Sequence, residues 1–300
     1  MKKLSIIIVT YNSEKDIYDC LSSIYTFNNI GTELEVIVVD NQSINFYEMR
    51  EKIQQRFPDT VIIQNIKNGG YGQGNNVGIK NATAPYIAIM NPDIRLTMPV
   101  FAEMTNCLQQ KNVVMCAGKQ FGGDGSVFTS FFSLFTVPWW FGKPLEYISR
   151  RIIDTYFYKL QYLSGAFFAI RRDIFETIGM FDENIFMYAE ENDIHYRIRQ
   201  LYPKMKMKYL KHLKYIHLAE KRPFNPIRIK QLYESNGYFF KKNNMSNINY
   251  WEQQIMLNKF LIFFYQFRNL LKGKGFKCDN RLKEHNIILA NLISQEKTLK

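Results

Sequence analysis

Apolar residues cluster in short, β-branched runs at 4–9, 34–39, 61–64, 86–90 and 113–117, each bounded by polar or turn-forming residues. Unbroken runs of this length, without polar alternation, read as strands buried on both faces. Helix-length segments separate them. Over 13–27, Ile17, Cys20, Leu21 and Ile24 recur on one helical face, and Ser13 is placed to cap the start. Strand and helix in alternation predict an α/β fold: a Rossmann-like, mostly parallel sheet with right-handed crossovers. Ligands of such sheets gather at the carboxyl ends of the strands. Here those ends carry Thr10-Tyr11-Asn12, Asp40-Asn41-Gln42-Ser43 and Asn91-Pro92-Asp93, so three strands deliver polar groups to one rim.

Past residue 121 the pattern is less regular. The stretch 127–141 holds five Phe and the pair Trp139-Trp140; it reads either as a loop over an acceptor pocket or as aromatic packing under a long connection. Short apolar runs follow at 209–210 and 215–218, then helices over 226–241, 251–271 and 281–294. We place a domain boundary at 222, giving 1–222 and a helical, basic 223–300. Within 255–271, the polar residues Asn258, Lys259, Gln266, Arg268 and Asn269 share half of the helical wheel. The segment falls short of the ~20 apolar residues that span a bilayer. With Lys272, Lys274 and Lys277 beyond it, it resembles an interfacial membrane helix; a helix packed on the main domain or on a second copy in a homodimer is the alternative.

Composition narrows the class. At 46% apolar and 15% aromatic, the chain has ample material for a core and is not a disordered one. Cys20, Cys107, Cys116 and Cys278 are widely spaced with no CxxC pair, which excludes a zinc or disulfide framework and fits a reducing, cytoplasmic setting. The 4–9 run is too short for a signal-peptide core. The net charge of +12 is uneven: residues 1–150 hold 13 basic and 13 acidic side chains, residues 151–300 hold 26 and 14. That excess points to an anionic partner, a phosphate-bearing ligand or an anionic membrane surface. No helix-turn-helix, zinc-finger or RNP-like motif accompanies it, which argues against nucleic acid.

Candidate chemistry centres on Tyr188-Ala189-Glu190-Glu191-Asn192-Asp193-Ile194-His195-Tyr196-Arg197, with three carboxylates within four residues. On a helix, Glu190, Asp193 and Arg197 share a face while Glu191 points elsewhere; a solvated helix start with dipole-favoured acids is the plainer reading. Asp40 ends a buried run, placed to accept a hydrogen bond from a base N–H. The cluster Asn68-Gly69-Gly70-Tyr71-Gly72-Gln73-Gly74-Asn75-Asn76-Val77-Gly78 permits close backbone approach to a phosphate or sugar, although its spacing is not that of a dinucleotide fingerprint. Asp93 reads either as a ligand for a hard divalent cation or as a turn cap, and His217 as a metal or phosphate contact or as a packed histidine.

Taken in order, residues 5–12, Val38-Val39-Asp40-Asn41-Gln42-Ser43, residues 68–78, Met90-Asn91-Pro92-Asp93, Gly165-Ala166 ahead of Arg171-Arg172, and residues 179–197 resemble the motif series of family 2 glycosyltransferases, in the spacing of the rhamnosyltransferase-like branch. The resemblance implies a GT-A fold, a nucleotide-diphosphate-sugar donor (dTDP or UDP, rhamnose favoured) and inverting displacement, in bacterial surface polysaccharide synthesis. It places Thr10, Tyr11, Asn12, Asp40, Asn68, Gly70, Asn76, Asn91 and Asp93 at the donor, and Gly165, Ala166 and Glu190 at a glycan or lipid-diphosphate-linked acceptor. It places Asp93 and His217 at Mg²⁺ or Mn²⁺, and Glu191 as catalytic base, with Arg222 near the leaving phosphates. Asn91 stands where the metal motif has its first acid, and Glu191 where the family has aspartate. It also implies a location at the inner face of the membrane. A nucleotidyltransferase would carry an Arg-containing Gly-rich loop after the first strand, where Thr10-Tyr11-Asn12-Ser13 stands instead. A catalytically weak nucleotide-sugar-binding scaffold is the remaining alternative.

Overall fold

The computed structural model describes residues 1–219, 223–271 and 280–298. Its strands are β1 (Leu4–Thr10), β2 (Leu34–Asp40), β3 (Thr60–Gln64), β4 (Tyr86–Met90), β5 (Ile94–Leu96), β6 (Val113–Phe121), β7 (Phe131–Ser133), β8 (Gln161–Leu163), β9 (Phe167–Arg171) and β10 (Lys206–His217). Its helices are α1 (Glu14–Thr26), α2 (Phe46–Arg56), α3 (Gly70–Asn81), α4 (Phe101–Leu108), α5 (Trp139–Arg151), α6 (Arg172–Thr177), α7 (Glu190–Leu201), α8 (Pro226–Lys242), α9 (Asn247–Leu271) and α10 (Asn280–Thr298). The chain divides into two compact units. The first comprises Met1–Leu134, Leu145–Phe186 and Glu190–Glu220; the second comprises Phe135–Pro144, Met187–Ala189 and Lys221–Lys300.

The first unit is built on a sheet of order β3-β2-β1-β4-β9-β6-β10-β5. β1 to β4 pair in parallel; β1, β2 and β4 are buried on both faces as their apolar runs predict, whereas β3, at the sheet edge, leaves Val61 exposed and Ile62 and Ile63 half-buried. β9 lies antiparallel between β4 and β6, and β5 runs antiparallel to β10 at the edge. Alternate residues of each central strand feed separate cores. Leu4, Ile6 and Ile8 pack with Ile17, Cys20, Leu21 and Ile24 of α1 on one face; Ile7, Ile37 and Val39 pack with Ile79 of α3 on the other. Ser13 departs from its expected role: it stands before α1, but its hydroxyl turns back to Tyr11 and leaves the helix uncapped. The two short runs near 209 and 215 are parts of one strand, β10, whose pairing with β6 shifts between Leu210 and Lys214.

The glycine cluster is a helix rather than a loop. Within α3, a Cβ at Gly78 would sit 3.2 Å from Val39 Cγ2 and 3.3 Å from Ile7 Cδ1, and one at Gly74 would sit 2.9 Å from Val9 Cγ1. These glycines let α3 lie close on β1 and β2, so their use is packing.

The second unit gathers α8, α9 and α10 around Tyr233, Phe239, Phe240, Tyr250, Trp251, Leu257, Leu289 and Leu292. Asn225 caps α8 by accepting the N–H groups of Ile227 and Arg228, with Pro226 in the first turn. Trp251 Nε1 donates to Tyr233 O at 2.9 Å across the bundle. Of the stretch 127–141, Phe131 is buried in β7 of the first unit, whereas Phe135 stacks on Tyr250 in the second. Among the described residues no helix is long and apolar enough to cross a membrane.

Candidate active site

Parallel pairing of β1 and β2 sets Thr10 beside Asp40. Asp40 is fully buried. Its Oδ1 accepts the hydroxyls of Thr10 (3.1 Å) and Ser43, and its Oδ2 accepts the Ser43 N–H at 2.8 Å. Asn12, in the left-handed region at φ 50°, donates its N–H to Ser43 Oγ and accepts the Ile44 N–H. Thr10, Asn12, Asp40 and Ser43 thus form one hydrogen-bonded shelf at the strand ends, with Tyr11 more than half exposed at its lip. The carboxylate of Asp40 orders this shelf first and keeps one acceptor position on Oδ2 beyond those bonds.

The long connections converge at the next strand end. Met90 pairs with Phe167, so Gly165-Ala166 arrive at the tip of β4, and Asn91 N–H donates to Ala166 O at 2.8 Å. α7 brings Glu191 over Gly165: a Cβ there would lie 2.6 Å from Glu191 Cγ and Cδ and closer still to Oε1. Only glycine leaves room for this carboxylate. Burial pushes the Glu191 carboxyl above its ordinary 4.5, with the backbone N–H groups of Glu191 and Gly165 pulling the other way.

Two residues that the pattern of the sequence did not single out hold this geometry. Tyr71, in the first turn of α3, donates its hydroxyl to Gly165 O at 2.9 Å. Burial, and then the negative fields of the carboxylates of Glu191, Glu190 and Asp93, raise that hydroxyl well above its usual value. His195 is buried. Its Nε2 accepts the Leu163 N–H at 2.9 Å, which leaves the proton on Nδ1 to donate to Glu191 O at 2.7 Å. The ring ties α7 to β8, and burial lowers its pKa to about 3, so it stays neutral. The i, i+4 spacing from Glu191 was its only trace in the sequence.

Asp93 and His217 meet because β5 pairs with the end of β10: His217 lies opposite Ile94, and Leu218 N–H donates to Asp93 O. Asp93 Oδ2 is 3.4 Å from His217 Nε2. Gln120 directs its NH₂ group at Thr129 O, so its Oε1 accepts and His217 Nδ1 is the donor across 3.1 Å. Asp93 Oδ2 and His217 Nε2 thus face each other, a carboxylate and an imidazole, donor types that fit a divalent ion whose shell would be completed by phosphate oxygens and water. No cluster of three or more protein ligands occurs among the described residues. Arg222 lies outside the described residues, as do Lys272, Lys274, Lys277 and Cys278.

Four residues expected at the ligands, Asn76, Gly70, Asn68 and Glu190, are engaged by the fold itself. Asn76 is buried, its NH₂ group on Phe181 O and Glu183 Oε1 and its Oδ1 on Phe181 N–H; it clamps α3 to the 181–183 turn and offers nothing to a donor. Gly70, at φ 87°, is glycine because the backbone of Phe186 passes its face, where a Cβ would be 2.9 Å from Phe186 C. Asn68 receives the Gly70 N–H and shapes the same turn. Glu190 is 3% exposed and sits with the Tyr71 carboxylates inside the fold. Its neighbours Asp193 and Arg197 form a 2.8 Å ion pair, with Arg197 also donating to Met180 O.

The sequence profile of glycosyl transferase family 2 matches residues 5–179, which contain the shelf, Tyr71, Asp93 and Gly165. The chain belongs to that family. Among curated family relatives, a low-salt glycan biosynthesis hexosyltransferase, Agl10, of Haloferax volcanii is 28% identical over 209 residues, covering 66% of this chain and 62% of its own. The poly(ribitol-phosphate) β-N-acetylglucosaminyltransferase TarS of Staphylococcus aureus is 34% identical over 94 residues, 31% of this chain and 16% of its own. The chain therefore spans under two thirds of the length of these relatives. The GT-A fold is shared with solved structures of a mannosyltransferase from Pyrobaculum calidifontis in complex with GDP-Man and Mn²⁺ (TM-score 0.57, 17% identity, 80% of this chain and 64% of that one). TarS 1–349 in complex with UDP shares it too (TM-score 0.54, 20% identity, 89% and 73%).

Proposed function

We propose that the chain transfers a hexose, with inversion, from a nucleotide-diphosphate donor to a glycan or lipid-diphosphate-linked acceptor in surface-polysaccharide synthesis. The single observation that carries this reading is the Glu191 carboxylate, raised by burial and laid over Gly165 beside Tyr71, in a family 2 chain. Glu191 takes the proton of the acceptor hydroxyl as its oxygen attacks the anomeric carbon. The Thr10–Asp40–Ser43 shelf, with Tyr11 and Asn12, receives the nucleoside. Asp93 and His217 would hold Mg²⁺ or Mn²⁺, which would supply charge neutralisation for the departing diphosphate. Gly165 and Ala166 floor the acceptor side, and Asn91, tied to Ala166, joins the two halves. Rhamnose from dTDP is favoured by the motif spacing, and UDP-hexoses are the alternative donors.

Calorimetric titration with dTDP, UDP and GDP, with and without Mn²⁺, tests this. Binding of dTDP or UDP that weakens in Asp40→Ala, with a Mn²⁺ dependence lost in Asp93→Ala, is the expected result. No binding of any nucleotide would overturn the transfer reading, and nucleotide binding without turnover would favour a scaffolding subunit.

A further inference from the structure

The C-terminal half of α9 is turned inside out. Met256, Phe260, Phe263, Phe264, Phe267, Leu270 and Leu271 are all exposed, Phe263 by 65% and Leu271 by 71%. At 100° per residue they occupy one arc of about 120°. The opposite side carries the amides: Asn258 is buried and donates to Asn286 of α10 at 2.9 Å, and Gln266 and Asn269 are partly covered. A water-facing helix places its polar side outward; this one hides it and presents rows of stacked Phe, with Phe260 against Phe264 and Phe263 against Phe267. Trp139 packs on Phe260 in the same unit, and Trp140 beside it is 65% exposed. Lys259 and Arg268, both exposed, border the stripe on its two sides.

We infer that this face is a docking surface for an anionic lipid interface, with α9 lying in the plane of the headgroups, its Phe row and Trp140 inserted and Lys259 and Arg268 reaching to the phosphates. Charge selects this occupant. Residues 223–300 carry 13 Lys and Arg against 5 Asp and Glu. A second copy brought face to face would oppose like charges, whereas an anionic surface complements them. Aromatic side chains with basic flanks are the composition of a water–lipid boundary. α9 does not meet the requirements for a span. The inference stands independently of the transfer reading, since it uses no residue of the active site.

The test is co-sedimentation of the full chain with vesicles of mixed phosphatidylglycerol and phosphatidylcholine, beside vesicles of phosphatidylcholine alone. Binding to the anionic vesicles, weakened by salt and accompanied by a blue shift of tryptophan fluorescence, is expected. Phe263→Ser with Phe267→Ser removes two inserted rings, and partitioning falls by roughly tenfold or more for each. Lys259→Glu with Arg268→Glu, two exposed positions whose exchange leaves the packed side of α9 intact, abolishes the preference for anionic vesicles while the melting temperature holds. Wild-type protein that stays in the supernatant with both vesicle types overturns the inference, as does binding unaltered by both double variants. Sedimentation-velocity dimers that disappear in the Phe variant, without vesicle binding, would assign the face to a second copy instead.

Discussion

Replacing Gly165 with alanine tests the arrangement of the base directly. Gly165 is outside the left-handed region, so alanine brings no backbone strain, and the lost chain freedom of the unfolded state adds about 0.4–1 kcal/mol of stability. The new Cβ would meet Glu191 Cγ and Cδ at 2.6 Å, against an ordinary contact of at least 3.4 Å. The acid must therefore withdraw by about 0.8 Å, and it can do so because it is the end of a flexible side chain. Displacement on the order of 1 Å in a reacting group costs about 100-fold in rate. Steady-state release of nucleoside diphosphate, measured with the donor chosen by titration, should show kcat down by about that factor, with donor affinity and melting temperature close to wild type. Turnover within about threefold of wild type, far less than a misplaced base costs, would refute the placement of Glu191. Loss of donor binding together with stability would show that Gly165 is a folding position only.

Glu191→Gln should lower kcat by about 10²–10⁴ while leaving nucleotide affinity intact, read by the same release assay and calorimetry. Because the folded carboxyl is raised above 4.5, its contribution to stability is present at low pH and lost as pH rises through that raised value. The Gln variant should therefore melt no lower than wild type at neutral pH, and the acid limb of the wild-type kcat profile should lie above 4.5. His195 runs the opposite way: with its pKa lowered from 6.5 to about 3, its contribution is complete above 6.5 and declines as pH falls toward 3, by up to about 1.4 kcal/mol per pH unit. His195→Gln should flatten that acid loss in urea titrations. Asp193→Ala should cost on the order of 3 kcal/mol in the same titrations by stranding Arg197 in its largely buried setting, and Asp193→Asn less.

The parallel strands were legible because residues buried on both faces must be apolar throughout, and 86–90 matches β4 to the residue. The reversed strand β9 carries the same signature, Phe167-Phe168-Ala169-Ile170 being buried on both faces, but its direction is set by β4 and β6, far along the chain; the edge strand β5 is too short to carry it, and its register is set by β10. The proximity of Asp93 and His217 depends on that register, so the residue pattern offered each as a separate candidate and only the family resemblance put both at one cation. The glycine run misled for a physical reason: an absent side chain serves a ligand-binding loop and a close-packed helix equally, and only the positions of Ile7, Val9 and Val39 distinguish the two. Tyr71 lay inside that run. Its hydroxyl became meaningful once Gly165, 94 residues away, was found beside it.

α3 has almost no tendency to be helical by itself. Its sequence, GYGQGNNVGIKN, places three glycines after the first residue, each about 1 kcal/mol less favourable than alanine, so some 3 kcal/mol of helix–coil preference is missing. What keeps it wound is contact with the sheet and with the 181–183 turn through Asn76. The helix is thus a conditional element, present only while docked, and Tyr71 in its first turn is released whenever it undocks. Amide hydrogens of α3 should exchange by local opening, ahead of those of β1. Substitutions at Ile7 or Val39, beneath the helix and away from any ligand, would be felt at Gly165 as a change in how often the floor under Glu191 is assembled.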